Sequence, residues 1–270
     1  MNIFKRNLLS CVITKKNLTL GLPLAFLLPQ MSLAAEQKGS WQLEEVVVTA
    51  QKKAQSMQDV PISVSAMSSD EIDGFRLDNA SDIASQIPNL QISSAYGDVQ
   101  PIFSIRGVSM SDYSQNQASP IGVYTDEVYI GAPYLQGMNL FDVERIEVLR
   151  GPQGTLYGKN ATGGAINIIT KAPSAKETDG YLKLTTGSYS QQKIDAAFET
   201  PIIDDTLGVR VAVTSNTADG YFDNHVEGGE NLSGTDYDSA RLVFSYLPTE
   251  ALDLTLRINT GESDTLSKAG

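Results

Sequence analysis

Asp142-Val143-Glu144-Arg145-Ile146-Glu147-Val148-Leu149-Arg150-Gly151-Pro152-Gln153-Gly154-Thr155-Leu156-Tyr157-Gly158 leads, four residues later, into Gly163-Gly164-Ala165-Ile166-Asn167-Ile168-Ile169-Thr170. Arg145 to Leu149 reads as a strand, and the charges from Asp142 to Arg150 interleave with Val143, Ile146, Val148 and Leu149. Gly151, Gly154, Gly158, Gly163 and Gly164 let the backbone turn tightly and pack closely. A phosphate-binding loop is the rival reading of these glycines. It would require Gly at position 153 and Ser or Thr at 160, where the chain has Gln153 and Asn160, so it is rejected. Asp142, Glu144, Arg145, Glu147 and Arg150 read as structural charge pairs in a unit facing a polar wall, rather than as an acid/base cluster.

Outward toward the N-terminus, short strands and short helices alternate. Ile62 to Met67 has period two, Ser69-Asp70-Glu71-Ile72 is a helix start with early acids, and Asn79 to Ile87 spaces Ile83 and Ile87 as a short helix would before Pro88. Further strands are predicted at Leu90 to Ser93, Ile102 to Val108 and Ile121 to Tyr129. The stretch 59–173 is therefore a compact α+β domain. Before it, 35–58 is mostly polar apart from the β-branched island Val46-Val47-Val48 and predicts a flexible arm with one strand-prone segment. Met1 to Ala34 carries Lys5, Arg6, Lys15 and Lys16 and no acids, then the apolar run Leu18 to Leu28, then Ser32-Leu33-Ala34. This is the order of an export signal cleaved after Ala34, with a run too short to span a membrane. The only cysteine, Cys11, precedes the apolar run instead of following it, which disfavours lipidation.

Outward toward the C-terminus, over 174–270, the pattern becomes long and strictly alternating. Leu207, Val209, Val211 and Val213 share one face, with Gly208, Arg210, Ala212 and Thr214 on the other. Leu252, Leu254, Leu256 and Ile258 oppose Ala251, Asp253, Thr255 and Arg257 in the same way. Five strands are counted, beginning near Tyr181, Gln192, Leu207, Arg241 and Leu252. A soluble sandwich can alternate like this. Connection lengths favour a transmembrane barrel: Pro201 to Thr206 and Pro248 to Glu250 are tight, whereas Ser215 to Asp236 is long and polar.

Composition narrows the function. The formal charge is −12, and removing the four cations of the export signal takes it to −16, which argues against nucleic acid. The exported chain has no cysteine and hence no disulfide. His225 is the single histidine, so no His/Cys metal site and no Ser-His-Asp triad can be assembled, and neither catalytic residue nor cofactor is expected.

The opening stretch closely resembles the end of the plug domain of TonB-dependent outer-membrane receptors. Ile105-Arg106-Gly107-Val108 and Gly122 to Val128 are similar to two further plug motifs in the expected order. Glu44-Glu45-Val46-Val47-Val48-Thr49-Ala50, followed by Gln58 to Ser63, looks like the family's TonB box and the start of its plug. The resemblance implies an α+β plug domain followed by antiparallel transmembrane β-barrel strands, here an incomplete barrel. It implies uptake of a scarce extracellular ligand across the outer membrane, a ferric siderophore first, with cobalamin, haem or an oligosaccharide as alternatives. TonB would grip Glu44 to Ala50, three valines suited to adding a strand to an open sheet edge. Outer-membrane lipid would be the other partner. Apical plug loops would lie under the ligand, making Tyr96, Tyr113, Tyr134 and Gln136 candidate contacts. Family barrels close about 22 strands, and the residues from Thr178 to Gly270 suffice for five, so the chain is expected to be a fragment that does not transport alone. A periplasmic plug-like module that only contacts TonB, and a soluble exported β-sandwich enzyme, are the competing readings.

Overall fold

The computed structural model describes residues 46–93, 100–111, 117–137, 139–225, 231–249 and 251–264. The export signal, Glu44, Glu45, Tyr96 and Tyr113 fall outside the described residues. Strands β1 (Val47–Val48) and β2 (Gln55–Ser56) pair antiparallel, and β3 (Ser63–Ser68) runs into helix α1 (Ser69–Phe75). Ser68 and Glu71 start that helix as a reciprocal capping box, an arrangement that contributes about 1 kcal/mol. The predicted helix over Asn79 to Ile87 is a single 3₁₀ turn, Asp82–Ser85, yet Ile83 and Ile87 are both buried as their spacing requires.

Strand β4 (Leu90–Ser93) pairs with β5 (Ile102–Ile105). Ile121 to Tyr129, expected as one strand, is a hairpin of β6 (Ile121–Thr125) and β7 (Val128–Tyr129). Asp126 and Glu127 both take positive φ, 48° and 69°, which is the backbone of a two-residue hairpin turn. The Asp126 carboxylate accepts from the Thr170 N–H and hydroxyl at 2.9 and 2.8 Å, which ties the turn in place. Strand β8 (Val143–Arg150), helix α2 (Gly154–Tyr157) and β9 (Gly164–Thr170) follow, and the sequence reading missed α2. The sheet order is β3-β8-β9-β6-β7, with only β6 and β9 parallel.

This sheet has two apolar faces. Ile146, Val148, Ile166, Ile121 and Val123 pack with Ile72, Ile83, Leu90 and Phe103 on one side. Leu149, Ala165 and Tyr124 pack with Val48, Ala50, Val60 and Tyr157 on the other. At Gly164, φ is 154° and an added Cβ would lie 2.4 Å from the Leu149 carbonyl oxygen, so only glycine fits that close approach of β8 and β9.

The last five strands are β10 (Asp179–Thr186), β11 (Gln192–Ile203), β12 (Leu207–Ala218), β13 (Thr235–Thr249) and β14 (Leu252–Ser263), paired antiparallel in chain order. Their polarity is inside out. Leu182, Leu184, Phe198 and Leu256 are 68, 67, 55 and 56 % exposed, whereas Asp195, Arg210 and Arg241 are 6, 4 and 6 % exposed. A sandwich would bury the apolar faces; a barrel wall turns them to lipid and its polar face inward. No described helix is long and apolar enough to cross a membrane, a statement that does not bear on strands.

Candidate functional site

Two contacts of the α+β domain organise the candidate site: one with its own N-terminal strand, the other with the polar face of β10 to β14. From Val46 onward the chain is not a free arm. Val48 and Ala50 are fully buried on the second face of the sheet, while Val46 and Val47 stay exposed. The Thr49 N–H and hydroxyl donate to Glu147 Oε1 at 2.7 and 3.1 Å, and Arg145 Nε donates to the same oxygen at 2.9 Å. Tyr157 donates its hydroxyl to the Ala50 carbonyl at 3.1 Å and accepts from Asn167 Nδ2 at 2.7 Å. Tyr124 donates to the Tyr157 carbonyl at 2.6 Å. The charged neighbours Lys52 and Lys53 are both exposed. Lys52 meets Glu127 at 3.4 Å and lies 5.0 Å from the Tyr157 ring centroid.

Burial sets the protonation of these aromatic groups. The Tyr157 phenol is pushed up to about 12; the Asn167 hydrogen bond opposes the shift and the Glu147 charge adds to it. Burial, with Tyr129 beside it, also raises Tyr124. Arg150 is lowered by burial and by the neighbouring Arg106.

The charges from Asp142 to Arg150, expected as structural pairs in a unit facing a polar wall, go to different partners. Alternation sends Arg145 and Glu147 to the face that holds Thr49, and Arg145 also pairs with Glu144. Arg150 donates to Ser63 and Ser65 of β3. Asp142, just ahead of β8, is the one member that meets the wall. It accepts from Arg210 Nε at 2.8 Å and from Tyr181 at 3.4 Å, and Arg210 also donates to Glu199 at 2.6 Å. Further ion pairs repeat the arrangement of acid on the domain and base on the strands: Asp78–Lys193 at 2.6 Å, Asp73–Lys183 at 2.8 Å and Asp126–Arg257 at 3.3 Å. Arg241 covers the Phe141 ring at 4.4 Å and donates to the Phe141 carbonyl at 3.1 Å. Between α1 and strands β10 and β11, Asp73, Asp78, Asp142, Lys183 and Lys193 border a cavity of about 820 Å³, which the sequence did not suggest.

The predicted ligand contacts separate. Tyr134 is 58 % exposed on the 3₁₀ turn Pro133–Leu135 and is free to meet a ligand. Gln136 is buried and donates from Nε2 to the Ile130 carbonyl at 2.7 Å, which gives it a structural task. Arg106 and Gly107, both at positive φ, form the turn that brings Val108 back to Ile105. Gly151 and Gly158 also take positive φ, Gly163 packs against Ile121 and Val108, and Gly154 begins α2.

Residues 56–165 match the family described as the TonB-dependent receptor plug domain. The pesticin receptor of Yersinia pestis is 32 % identical over 208 residues, covering 76 % of this chain and 30 % of that receptor. The vitamin B12 transporter of Photobacterium profundum is 30 % identical over 145 residues, covering 53 % and 23 %. Among solved structures, the ferric yersiniabactin uptake receptor from Yersinia pestis aligns with a TM-score of 0.65 at 28 % identity, covering 70 % of this chain and 29 % of that one. The chain thus spans less than a third of the length of these relatives.

Proposed function

Since the chain belongs to the TonB-dependent receptors, of which it holds the plug and five strands of the barrel, we propose that it is the plug-bearing part of an outer-membrane receptor for energy-coupled uptake of a ferric siderophore. The observation that carries this reading is the inside-out wall with a plug seated on its charged face, an arrangement that blocks a lumen and leaves apolar side chains for lipid. Its exported form begins after Ala34, and Glu44 to Ala50 is the strand offered to TonB. The siderophore assignment draws on the relative that takes up ferric yersiniabactin. A cobalamin ligand is the second reading, favoured by the vitamin B12 transporter among the relatives.

Transport is assigned to a closed barrel and not to five strands by themselves. Among the described residues β10 and β14 are sheet edges, and rows of unpaired backbone groups are not tolerated in hydrocarbon. The test is uptake by a strain lacking its own siderophore receptors and expressing a receptor gene that contains this chain. Radioiron on phenolate, hydroxamate and catecholate siderophores is compared with labelled cobalamin, with and without a working TonB. TonB-dependent iron accumulation is expected; cobalamin accumulation without iron would replace the ligand assignment, and equal uptake without TonB would refute the energy coupling.

A further inference from the structure

The docked N-terminal strand is not ready to pair. Met57 N–H donates to the Val46 carbonyl at 2.9 Å, so by alternation Val46 and Val48 direct their main-chain groups toward β2 while Val47 and Thr49 direct theirs away. That outer edge is where an added strand would bond. Its Thr49 groups are already taken: the N–H by Glu147 Oε1 and the carbonyl by the Lys52 N–H at 2.8 Å. Val48 and Ala50, the side chains on either side of Thr49, are fully buried in the plug.

Glu147 is unusual in its own right. It is fully buried on β8, the strand bonded to both β3 and β9. All three of its donors converge on Oε1, and Oε2 has no hydrogen-bond partner among the described residues. Two of those three donors come from Thr49. A buried carboxylate held by so few donors depends strongly on each of them, because stranding a buried charged acceptor is more costly than a single hydrogen bond is stabilising.

We propose that Glu147 is a latch on the TonB-binding strand: a side-chain carboxylate that occupies the edge donor of Thr49 and must let go before a second chain can add there. Arg145, which donates to the same oxygen, holds the carboxylate in place when Thr49 leaves. The latch makes strand addition conditional, since the strand is offered to a partner only when the plug surface around Glu147 loosens. This inference rests on the strand-addition reading of Glu44 to Ala50.

The test uses the full chain in detergent micelles, with hydrogen exchange of the Val46 to Ala50 amides and titration with the purified periplasmic domain of TonB. Glu147→Gln keeps the volume and one acceptor but loses the charge. Thr49→Val keeps the strand-forming shape and the N–H but loses the hydroxyl, and it leaves the sheet untouched should the first variant fold poorly. Both are expected to speed exchange at residue 49 by about tenfold and to tighten TonB binding by a similar factor. A synthetic peptide of Glu44 to Ala50, which has no latch, should bind at least as tightly as the variants. If the peptide binds but both variants exchange and bind like the parent chain, the latch is overturned. If the variants exchange faster but the peptide does not bind TonB, the latch stands and the strand-addition reading fails.

Discussion

Replacing Asp142 with Asn removes one charge from the buried contact between plug and wall and little else. Asp142 sits at φ 51°, a left-handed conformation that Asn tolerates as well as Asp does, so the backbone is not the perturbation. The Asp142 side chain is fully buried and Arg210 nearly so. The carboxylate takes two of the guanidinium's N–H groups, and after the substitution Arg210 keeps Glu199 at 2.6 Å as its one carboxylate among the described residues. Removing one partner of a buried pair costs about 3–5 kcal/mol, and the surviving Glu199 contact puts this case near about 3 kcal/mol. Read by native-state hydrogen exchange on the full chain in micelles, the amides of β8 should open about 100-fold more readily. Arg210→Met by itself should cost at least as much, because Asp142 on the plug and Glu199 on the wall then both lose their cation. The double variant should recover a coupling of at least about 1.5 kcal/mol. Additive losses, or a loss below about 0.5 kcal/mol for Asp142→Asn, would show that plug and wall are not held by this pair.

Val47→Pro removes an N–H that faces away from β2, so the β1–β2 pairing should survive while TonB affinity falls by about tenfold in a titration; unchanged affinity counts against strand addition. Tyr157 has its phenol raised to about 12 in the fold, so its contribution is fully present below the unfolded value of 10.0 and is lost as pH rises from there toward 12. Urea titrations at increasing pH should therefore show plug stability falling over that window in the parent chain and falling less in Tyr157→Phe; parallel slopes would contradict the assignment. Tyr134→Ala in a receptor containing this chain should weaken ligand binding without altering the plug's thermal stability, and undiminished binding removes Tyr134 from the site.

Period-two alternation pointed to five wall strands, because side chains face lipid on one side and charge on the other, but the strand expected from Arg241 begins at Thr235, and Ser215 to Ala218, read as loop, ends β12. Leu90 to Ser93 was legible to the residue for a similar reason. The hairpin at Asp126 and Glu127 was not, since neither residue is a glycine and the two apolar runs on either side read as one. The docked strand was missed for a different reason. Its partners Glu147, Tyr157 and Asn167 lie far along the chain, and the nearby Lys52 and Lys53 locally argue for solvent. Likewise the acids Asp73, Asp78, Asp126 and Asp142 are scattered through the plug sequence, and only the fold brings them opposite Lys183, Lys193, Arg257 and Arg210. Gln136 is the converse case, a polar loop residue assigned to a ligand whose amide is engaged by the Ile130 carbonyl.

Among the described residues β3 is the first long strand, and it is also an edge of the plug sheet, bonded to β8 alone. A tension applied to the polypeptide ahead of Ser63 therefore reaches the sheet at its margin and not at its middle. The first ladder position to bear load is Ser63 opposite Arg150, where the guanidinium also grips Ser63 and Ser65, so resistance is concentrated at the start and falls once that end yields. The remaining positions can then separate in succession, while β8, β9 and β6 keep their mutual pairing. Rupture by this route is sequential and local, and it leaves behind a paired template on which β3 can re-form when the tension is released.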